Sequence, residues 1–575
     1  MLKKELKFDV DARLSLFKGI EKLYKAVSGT LGPRGRFVVN EAVYGIPHTT
    51  KDGATVAKNV FLEDHFEQMG VEMVREAATR TCDQAGDGTT TSIVLAYFFI
   101  ESALDMIRQY GVTPYLIART YEKLGKQTLQ NLLEQSQSCD VKSPHLKNVA
   151  YVASNGDEEL SQAVIDVFNK AGEKANIAIQ LHHDSQTIAE ITHGFTFEGG
   201  YASPYFLTHP AKKTAILENP YVLIYPGKIP TLHEMKVLEE VQKTGRPLLM
   251  IVGNIEGEPL GMLVRNHMQQ RLKVCVVKVP FSEEDTADDM MKDIALLTGA
   301  KILNSDLGKR MSDITLKYLG ECARAVIKEN ETLIVEGTGD EKALEDRIDE
   351  LLELAEVARG KYKDVLDKRA SMLRGTIGLL KVGGMTEQEA LERKDRAEDC
   401  VNAVRSALQE GISMGGGVAL AMESFKNRLD SPIELATPPM LNELPEEQRL
   451  SLIVKAFQGL PHHAQEAVVK DVFCRVLLTP LRKILENCAV PMHEMDALVD
   501  HLHRSDNPEI AYRIDETGEI IQSATPSVYD PTKVIRCALE NALSVANLFI
   551  QTTCSIVLKD DPEHLQRAIQ QTMRF

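Results

Sequence analysis

Residues 86–91 of the chain, Gly-Asp-Gly-Thr-Thr-Thr, combine groups that could bind a phosphate. The glycines allow the backbone to approach a ligand closely, and the three hydroxyls add hydrogen-bond donors. The Asp87 carboxylate could ligate a hard cation that bridges phosphate oxygens. The apolar segment 92–108 predicts a buried helix whose N-terminus would present free N–H groups to the same phosphate. The alternative is an ordinary Asp or Thr helix cap, which needs only one of these residues.

Other candidate residues for chemistry lie far apart in the sequence. Thr30 to Arg36 form a glycine-rich bend after a helix, and Lys51-Asp52-Gly53 form a polar turn. Gly415-Gly416-Gly417 would allow close backbone approach or a hinge. Asp399 lies on a predicted helix, where an acidic residue is usually solvent-exposed. Each of these signals is weak alone, and a plain turn or a solvated face is the alternative at each position.

The elements that position these residues are mostly helical at both ends of the chain. Apolar residues at helical spacing predict a helix in the first thirty residues, broken at Gly29 and Gly32, and a short strand at Val38-Val39. Further helices are predicted at 114–135 and 386–410. Residues 530–550 read as a helix with Asp530 as N-cap and Pro531 at the first helical position.

The middle third of the chain has a different pattern. Short apolar runs predict strands, and they alternate with helical stretches, which is typical of an α/β domain. Helical ends around an α/β middle suggest that one domain is discontinuous. The predicted strands are 221–227, 247–254 and 273–280, and the predicted helices are 232–243 and 258–271.

Composition excludes several classes of protein. The chain has 575 residues, 43% of them apolar and 26% charged, as expected of a globular protein with several domains. A net charge of −17 argues against a general nucleic-acid binder. Nine cysteines without a C-x-x-C pair fit a reducing cytosol, and no secretory or membrane-spanning segment is predicted, so we expect a cytoplasmic protein. A P-loop and an H-E-x-x-H zinc motif are absent from the sequence.

Several segments together resemble the signature set of the group I chaperonins, the GroEL family, and the resemblance runs over almost the whole chain. The segments are TLGPRGR (30–36), KDGATVA (51–57), EDHFEQMGVEMVREAA (63–78), AGDGTTT (85–91), GGYASPYF (199–206), GGGVAL (415–420) and DPTKV (530–534).

The resemblance implies a multi-domain GroEL-like chaperonin fold. A mostly α equatorial domain would comprise 1–135 and 410–575 and would bind ATP. A small α+β intermediate domain, the hinge, would comprise 136–192 and 378–409. An α/β apical domain at 193–377 would bind unfolded polypeptide and, as a further candidate partner, a GroES-type co-chaperonin. The subunit would assemble with itself, or with a related chain, into a ring.

The resemblance also assigns roles in binding and hydrolysing ATP with Mg²⁺. Asp87 would hold Mg²⁺, Asp399 would orient the attacking water, and Asp52 would assist at the same centre. This would be phosphoryl transfer by positioning and electrostatics, with every such position filled by the family's residue. The remaining nucleotide-binding positions implied are Thr30, Leu31, Gly32, Pro33, Lys51, Gly88, Thr89, Thr90, Thr91, Gly416 and Asp530.

The client-binding surface is less faithful to the family. Arg265 stands where the family has an apolar residue, and Lys236 falls at or beside another apolar contact. Each lost apolar side chain weakens burial by about 1–3 kcal/mol, so we hypothesise altered or weakened client and lid binding. The apolar positions kept are Tyr201, Tyr205, Phe206, Leu238, Leu260 and Val264.

Other departures concern the loops and the ring contacts. The apical loop reads FSEEDTADD (281–289), and an insert of a few dozen residues lies roughly within 427–465. The base-side segment IAYRIDE (510–516) matches poorly, Ala489-Val490-Pro491 replace an acidic pair, and the Gly-Met tail is missing. Two interpretations stay open: an ATP-driven folding chaperonin, or a divergent paralogue with a regulatory or scaffolding role.

Overall fold

The structure is a computed structural model, and it divides into two compact units. The first unit comprises residues 1–169, 179–188 and 381–575, and the second comprises 170–178 and 189–380. The residues described are 4–41, 48–172, 177–181, 186–209, 213–229, 231–232, 235–278, 286–302, 314–357, 365–366, 369–370, 372–373, 376–427, 446–504, 511–514, 520–523 and 528–558.

Most of the helices belong to the first unit. Four of the helices given below, α8 to α11, belong to the second. A π-helical turn, Met106–Tyr110, extends α4. In chain order the helices are α1 Asp9–Val27, α2 Gly53–Asn59, α3 His65–Ala85, α4 Thr89–Asp105, α5 Pro114–Glu134, α6 Pro144–Ala153, α7 Glu158–Ala171, α8 Val237–Thr244, α9 Glu258–Met268, α10 Thr286–Thr298, α11 Glu341–Val357, α12 Glu387–Glu410, α13 Val418–Asn427, α14 Glu446–Gln458, α15 His462–Leu477, α16 Thr479–Asn487, α17 Met492–Arg504 and α18 Thr532–Ile550.

The strands form one large sheet, most of whose residues belong to the second unit, and four small two-stranded sheets in the first. They are β1 Lys4–Phe8, β2 Val38–Asn40, β3 His48–Thr50, β4 Ile177–Leu181, β5 Ile188–Glu198, β6 Gly200–Tyr201, β7 Ala215–Glu218, β8 Tyr221–Ile229, β9 Leu248–Ile255, β10 Val274–Lys278, β11 Gly320–Ile327, β12 Glu331–Gly337, β13 Thr376–Val382, β14 Ile412–Met414, β15 Ala511–Ile514, β16 Ile520–Ser523, β17 Tyr529–Pro531 and β18 Cys554–Leu558.

The core of the first unit is built around α4, which is apolar on nearly every side as the sequence predicts. Phe99 of α4 is fully buried, and its ring centroid lies 5.2 Å from that of Tyr121 on α5. The ring centroid of Phe473 on α15 lies 5.3 Å from that of Phe99. Burial of side chains of this size is the main favourable term in folding, so this core fixes the N-terminus of α4 and the residues beside it.

Two-stranded sheets tie distant parts of the first unit together. β1 pairs antiparallel with β18, near the other end of the chain, with Leu6 opposite Ile556. β14 pairs antiparallel with β17, with Ser413 opposite Asp530. Two residues, Lys51 and Asp52, separate the hairpin β2–β3 from α2.

The second unit contains a sheet with strand order β4-β13-β5-β12-β11-β8-β9-β10-β6, and β7 also pairs with β11. β8, β9 and β10 run parallel, and β9 is almost wholly buried, as expected of a central parallel strand. The predicted strands 221–227, 247–254 and 273–280 are therefore confirmed.

The helix predictions are confirmed with some shifted bounds. The first helix covers 9–27 instead of the whole N-terminal segment, because residues 4–8 form β1. The predicted helix 232–243 is observed as α8 over 237–244. Residues 233–234 of the predicted range lie outside the described residues. The predicted helix 386–410 is observed as α12, which begins with Thr386 accepting a hydrogen bond from the Glu389 N–H.

Several predictions fall on residues outside the described part of the chain. These are 281–285 of the apical loop, 428–445 of the insert and the C-terminal residues 559–575. Within 510–516 only 511–514 are described, as strand β15. The three-domain division remains a prediction, since residues 136–169 and 381–409 group with the first unit.

Candidate active site in the first unit

The loop 86–88 joins α3 to α4, and its glycines are required by geometry. Gly86 ends α3 with φ of 76°, and Gly88 precedes α4 with φ of 86°, a left-handed region that disfavours side chains. A Cβ on Gly86 would lie 2.3 Å from the Asn402 Cβ, and one on Gly88 would lie 2.7 Å from Val534 Cγ1. The chain therefore turns here against two packed helices, which leaves the N-terminus of α4 in a fixed position.

Asp87 is not a helix cap, so the alternative explanation for this motif fails. Gly88 is the N-cap residue of α4, and no described side chain caps that helix. The Asp87 carboxylate accepts a hydrogen bond from the Gly88 N–H at 2.5 Å and has a second oxygen for other partners. An uncapped helix start beside a carboxylate can bind the phosphates and the cation of a metal–nucleotide complex.

Asp52 is a true helix cap and sits beside the same loop. Its carboxylate accepts hydrogen bonds from the Ala54 N–H at 2.9 Å and the Thr55 N–H at 2.8 Å, which starts α2. Gly53 faces Thr90 so closely that a Cβ would lie 2.0 Å from the Thr90 Oγ1. The turn 51–53 therefore packs directly against the start of α4, as the site requires.

The loop 30–33 is held next to Thr90 by residues that sequence reasoning missed. The Thr30 and Thr90 hydroxyls lie 3.4 Å apart. The buried Asn487 side chain, at the end of α16, donates to the Ser28 carbonyl at 2.9 Å and the Leu31 carbonyl at 2.8 Å. Gly32 has φ of 88° and faces Ile484. No local signal in the sequence marks Asn487, because its partners are far away in sequence.

Asp530 differs from the sequence prediction, which made it a helix N-cap. It lies in β17, Pro531 is the N-cap of α18, and no described side chain caps that helix. The Asp530 carboxylate accepts a hydrogen bond from the Gly416 N–H at 2.9 Å instead. The β14–β17 pairing explains the different contact, because it places Asp530 beside the loop of Gly415, Gly416 and Gly417. Gly416 has φ of 65° and open space where a Cβ would be, so a ligand can approach its backbone.

Asp399 reaches this cluster because α12 is fixed against the 86–88 loop. The Ser406 hydroxyl of α12 donates to the Ala85 carbonyl at 2.8 Å, and Asn402 packs on Gly86. Burial and then the negative charges of Asp87 and Asp52 hold the pKa of the Asp399 carboxyl well above its usual range. Residues distant in sequence therefore share one electrostatic site.

The site has an excess of negative charge. Burial, and then the charge of Asp52, raise the pKa of Asp87, while the Gly88 N–H works in the opposite direction. Burial also raises the pKa of Asp530 to about 6, with Asp87 adding to the effect. Carboxylates that raise one another's pKa form a site that favours a cation.

The donor set fits Mg²⁺ bound together with a nucleotide. Within the described ranges, no group of three or more His, Cys, Asp and Glu side chains is arranged to hold a metal by itself. Mg²⁺ commonly takes only one or two protein carboxylates and completes its shell with water and substrate phosphates. Asp87 is the best candidate ligand, because it stands directly before the uncapped start of α4 and has a carboxylate oxygen left for a metal.

The remaining predicted nucleotide residues differ in their exposure. Thr89 is buried, Thr91 is half-buried, and Pro33 is exposed. Lys51 directs its ammonium group over the Phe37 ring, 4.6 Å from the ring centroid.

A second motif near the site does not carry hydrolase chemistry. Residues 411–415, Gly-Ile-Ser-Met-Gly, match the G-x-S-x-G pattern of serine hydrolases. Ser413 lies inside β14 rather than at a strand-to-helix turn, and its hydroxyl lies 2.7 Å from the Thr532 hydroxyl. This pair links two strands and lacks the geometry of a nucleophile elbow.

The predicted client-binding residues lie in the second unit and fall into two groups. Tyr205 is 63% exposed, whereas Tyr201, Leu238, Leu260 and Val264 are partly buried against the core of that unit. Phe206 is fully buried with its ring against His267, so the prediction that it forms part of a binding surface is not met. Arg265 and Lys236 are both exposed.

The model of the TCP-1/cpn60 chaperonin family matches residues 23–231 and 231–560, nearly the whole chain. The chain belongs to this family. The membership confirms the resemblance drawn from the sequence segments.

Two solved structures support the same fold for this chaperonin. Both are crystal structures of the chaperonin gp146 from the bacteriophage EL 2 (Pseudomonas aeruginosa) in the presence of ATP-BeFx. Crystal form II has a TM-score of 0.59 at 23% identity and covers 97% of this chain and 100% of that chain. Crystal form I gives 0.57 and 23%, with coverages of 96% and 99%. At this identity the likeness shows the fold.

One helix in the described ranges, Thr89–Tyr110, is long and apolar enough to cross a membrane. It is α4 with its π-helical turn, and 67% of its most apolar window is buried inside the protein. Core helices of globular proteins pass the same test of length and composition.

Asp530 gives a prediction about pH. Its pKa in the folded chain is about 6, above the ordinary 3.8, so its contribution to stability is present below pH 3.8 and is lost as the pH rises through about 6. We expect Asp530→Asn, whose side-chain oxygen can still accept from Gly416, to flatten the fall of Tm across this range. Thermal unfolding without nucleotide measures it, with the exposed Asp83→Asn as control. An unchanged pH slope would contradict the assignment.

Proposed function

We propose that this chaperonin subunit binds and hydrolyses Mg-ATP at the site formed by Asp52, Asp87, Asp399 and Asp530, and uses the cycle to fold unfolded polypeptide. The observation that carries the proposal is the convergence of these four carboxylates beside an uncapped helix N-terminus. An unpaired cluster of this kind is electrostatically unfavourable, and a cation with a phosphate ligand would relieve it.

The roles follow from the contacts of each residue. The first-turn N–H groups of α4 and the hydroxyls of Thr89 to Thr91 would bind phosphate oxygens, and Asp87 would hold Mg²⁺. When bound, Mg²⁺ would neutralise charge on the transferring phosphate. The Gly416 backbone would lie against the nucleotide, with Asp530 fixing that loop and facing the ribose.

Asp399 is the best candidate to orient and deprotonate the attacking water. A carboxylate whose pKa is raised by burial and like charge is a stronger proton acceptor than a solvated one. Asp52 is less suited to proton transfer, because its oxygens are engaged by α2. It would assist through its charge, which acts on both Asp87 and Asp399.

Assembly with other copies of the chain, in a homomeric or mixed ring, is supported by two exposed apolar faces of the first unit. The β1–β18 ribbon exposes Leu6, Phe8, Ile556 and Leu558, and residues 37–39 at the start of the hairpin expose Phe37 and Val39. Two-stranded ribbons also have unpaired edges, which favour pairing with another strand.

Asp399→Asn tests the proposed hydrolysis directly. We expect kcat for ATP hydrolysis to fall by about 10²- to 10⁴-fold, because a general base is lost, while nucleotide affinity is retained. Phosphate release and fluorescent-nucleotide titration measure the two quantities. Glu398→Gln on the same helix is the matched control. Absence of ATP turnover in the unmodified chain would refute the proposal.

Val39→Glu and Leu6→Glu test the assembly surfaces. A charge on either exposed apolar face would face an apolar partner in the assembly, so we expect both variants to dissociate into smaller species. Native mass measurement reads out the oligomer, and Leu452→Glu, an exposed apolar residue of α14, is the control. Oligomers of unchanged size in both variants would exclude these faces as interfaces.

A second interpretation concerns the clients of the protein. Arg265 and Lys236 are exposed and Phe206 is buried, which favours a narrower set of partners than a general folding chaperonin binds. In that case the subunit would keep its ATP cycle and serve a regulatory or scaffolding role. Refolding of a denatured client, with and without a GroES-type lid, distinguishes this interpretation from the first.

A further inference from the structure

Phe37 is an exposed aromatic residue at the rim of the proposed nucleotide site. Its side chain is 56% exposed, and it directly precedes β2. Val38 lies opposite Thr50 in the β2–β3 hairpin. Phe37, just before Val38, and Lys51, just after Thr50, are therefore neighbours at the open end of the hairpin. The Lys51 Nζ lies 4.6 Å from the Phe37 ring centroid, which is within the range of a cation–π contact.

Lys51 lies beside a cluster of carboxylates but forms no ion pair with an Asp or Glu of the described ranges. It is adjacent in sequence to Asp52, whose two oxygens are occupied by Ala54 and Thr55. The charges that act on Asp87 and Asp399 are those of other carboxylates. A flexible ammonium group so close to this negative field would be drawn into it unless another contact held it outside.

We propose that Phe37 is a positioning residue that holds the Lys51 ammonium at the rim of the site and away from Asp87 and Asp399. This inference rests on the proposed binding of Mg-ATP at those carboxylates. Phe37 would thereby keep the Lys51 ammonium from competing with Mg²⁺ for the carboxylates. Neither the aspartates nor the threonines of the site have that role.

The arrangement has a consequence for cation binding. With Lys51 over the ring, the negative charge of the cluster stays available for a divalent cation. If the ring were lost, Lys51 could turn toward Asp87 and compete with Mg²⁺ for the same carboxylate. The site would then need more Mg²⁺ to bind nucleotide equally well.

Phe37→Leu removes the π face and keeps apolar volume, whereas Phe37→Tyr keeps both. We expect the Mg²⁺ concentration for half-maximal binding of a fluorescent ATP analogue to rise about two- to five-fold in Phe37→Leu, the size of an exposed cation–π contact. Phe37→Tyr should bind as the unmodified chain does. Phe61→Leu, which removes another exposed ring that carries a cation–π contact, with Arg75, is the matched control.

A double-mutant cycle assigns the effect to Lys51. In a Lys51→Met background, Phe37→Leu should leave the Mg²⁺ requirement unchanged, because the competing ammonium group is gone. Equal shifts in the Leu and Tyr variants, or a Leu effect that persists without Lys51, would overturn the inference. If Lys51→Met binds too weakly for the cycle, the Leu–Tyr comparison decides alone. Failure of the unmodified chain to bind nucleotide would instead refute the proposed function.

Discussion

Mutual repulsion among Asp52, Asp87, Asp399 and Asp530 is the interaction on which the rest of this site depends. Burial first, and then like charge, disfavours the charged form of these carboxyls, so the pKa values of Asp87, Asp399 and Asp530 are raised. Folding must therefore impose the arrangement from outside. It does so with contacts far from the carboxylates themselves, chiefly helix ends and buried hydrogen bonds.

Three kinds of contact impose it. Left-handed glycines at 86 and 88 let α3 and α4 meet at the loop that carries Asp87. Ser406 fastens α12, and with it Asp399, to that loop through the Ala85 carbonyl. At the C-terminal end of α12 the Arg536 guanidinium of α18 donates to both oxygens of Glu410, at 2.8 and 2.7 Å. Such two-point contacts fix orientation as well as distance, so the position of Asp399 depends on α18 as well.

The sequence predicted the parts of the fold that depend on local signals. The apolar α4, the parallel strands of the second unit and the glycine-rich loops all follow from periodicity and backbone freedom. It could not predict β1, because its partner β18 lies near the other end of the chain. For the same reason Asn487 was missed and Asp530 was given the wrong contact: Asp-Pro before a helix favours an N-cap locally, and the long-range β14–β17 pairing overrides it. Phe206 was misplaced because its apolar side chain suits a core as well as a binding surface.

Calorimetric titration of the unmodified chain with ATP, with and without Mg²⁺, tests the central claim most directly. If the four carboxylates form a cation-dependent nucleotide site, ATP should bind at one site per subunit with Mg²⁺ and much more weakly in excess chelator, because its phosphates would then meet uncompensated negative charge. Asp87→Asn should reduce that difference. Equal affinity with and without Mg²⁺, or binding that Asp87→Asn leaves unchanged, would contradict the account.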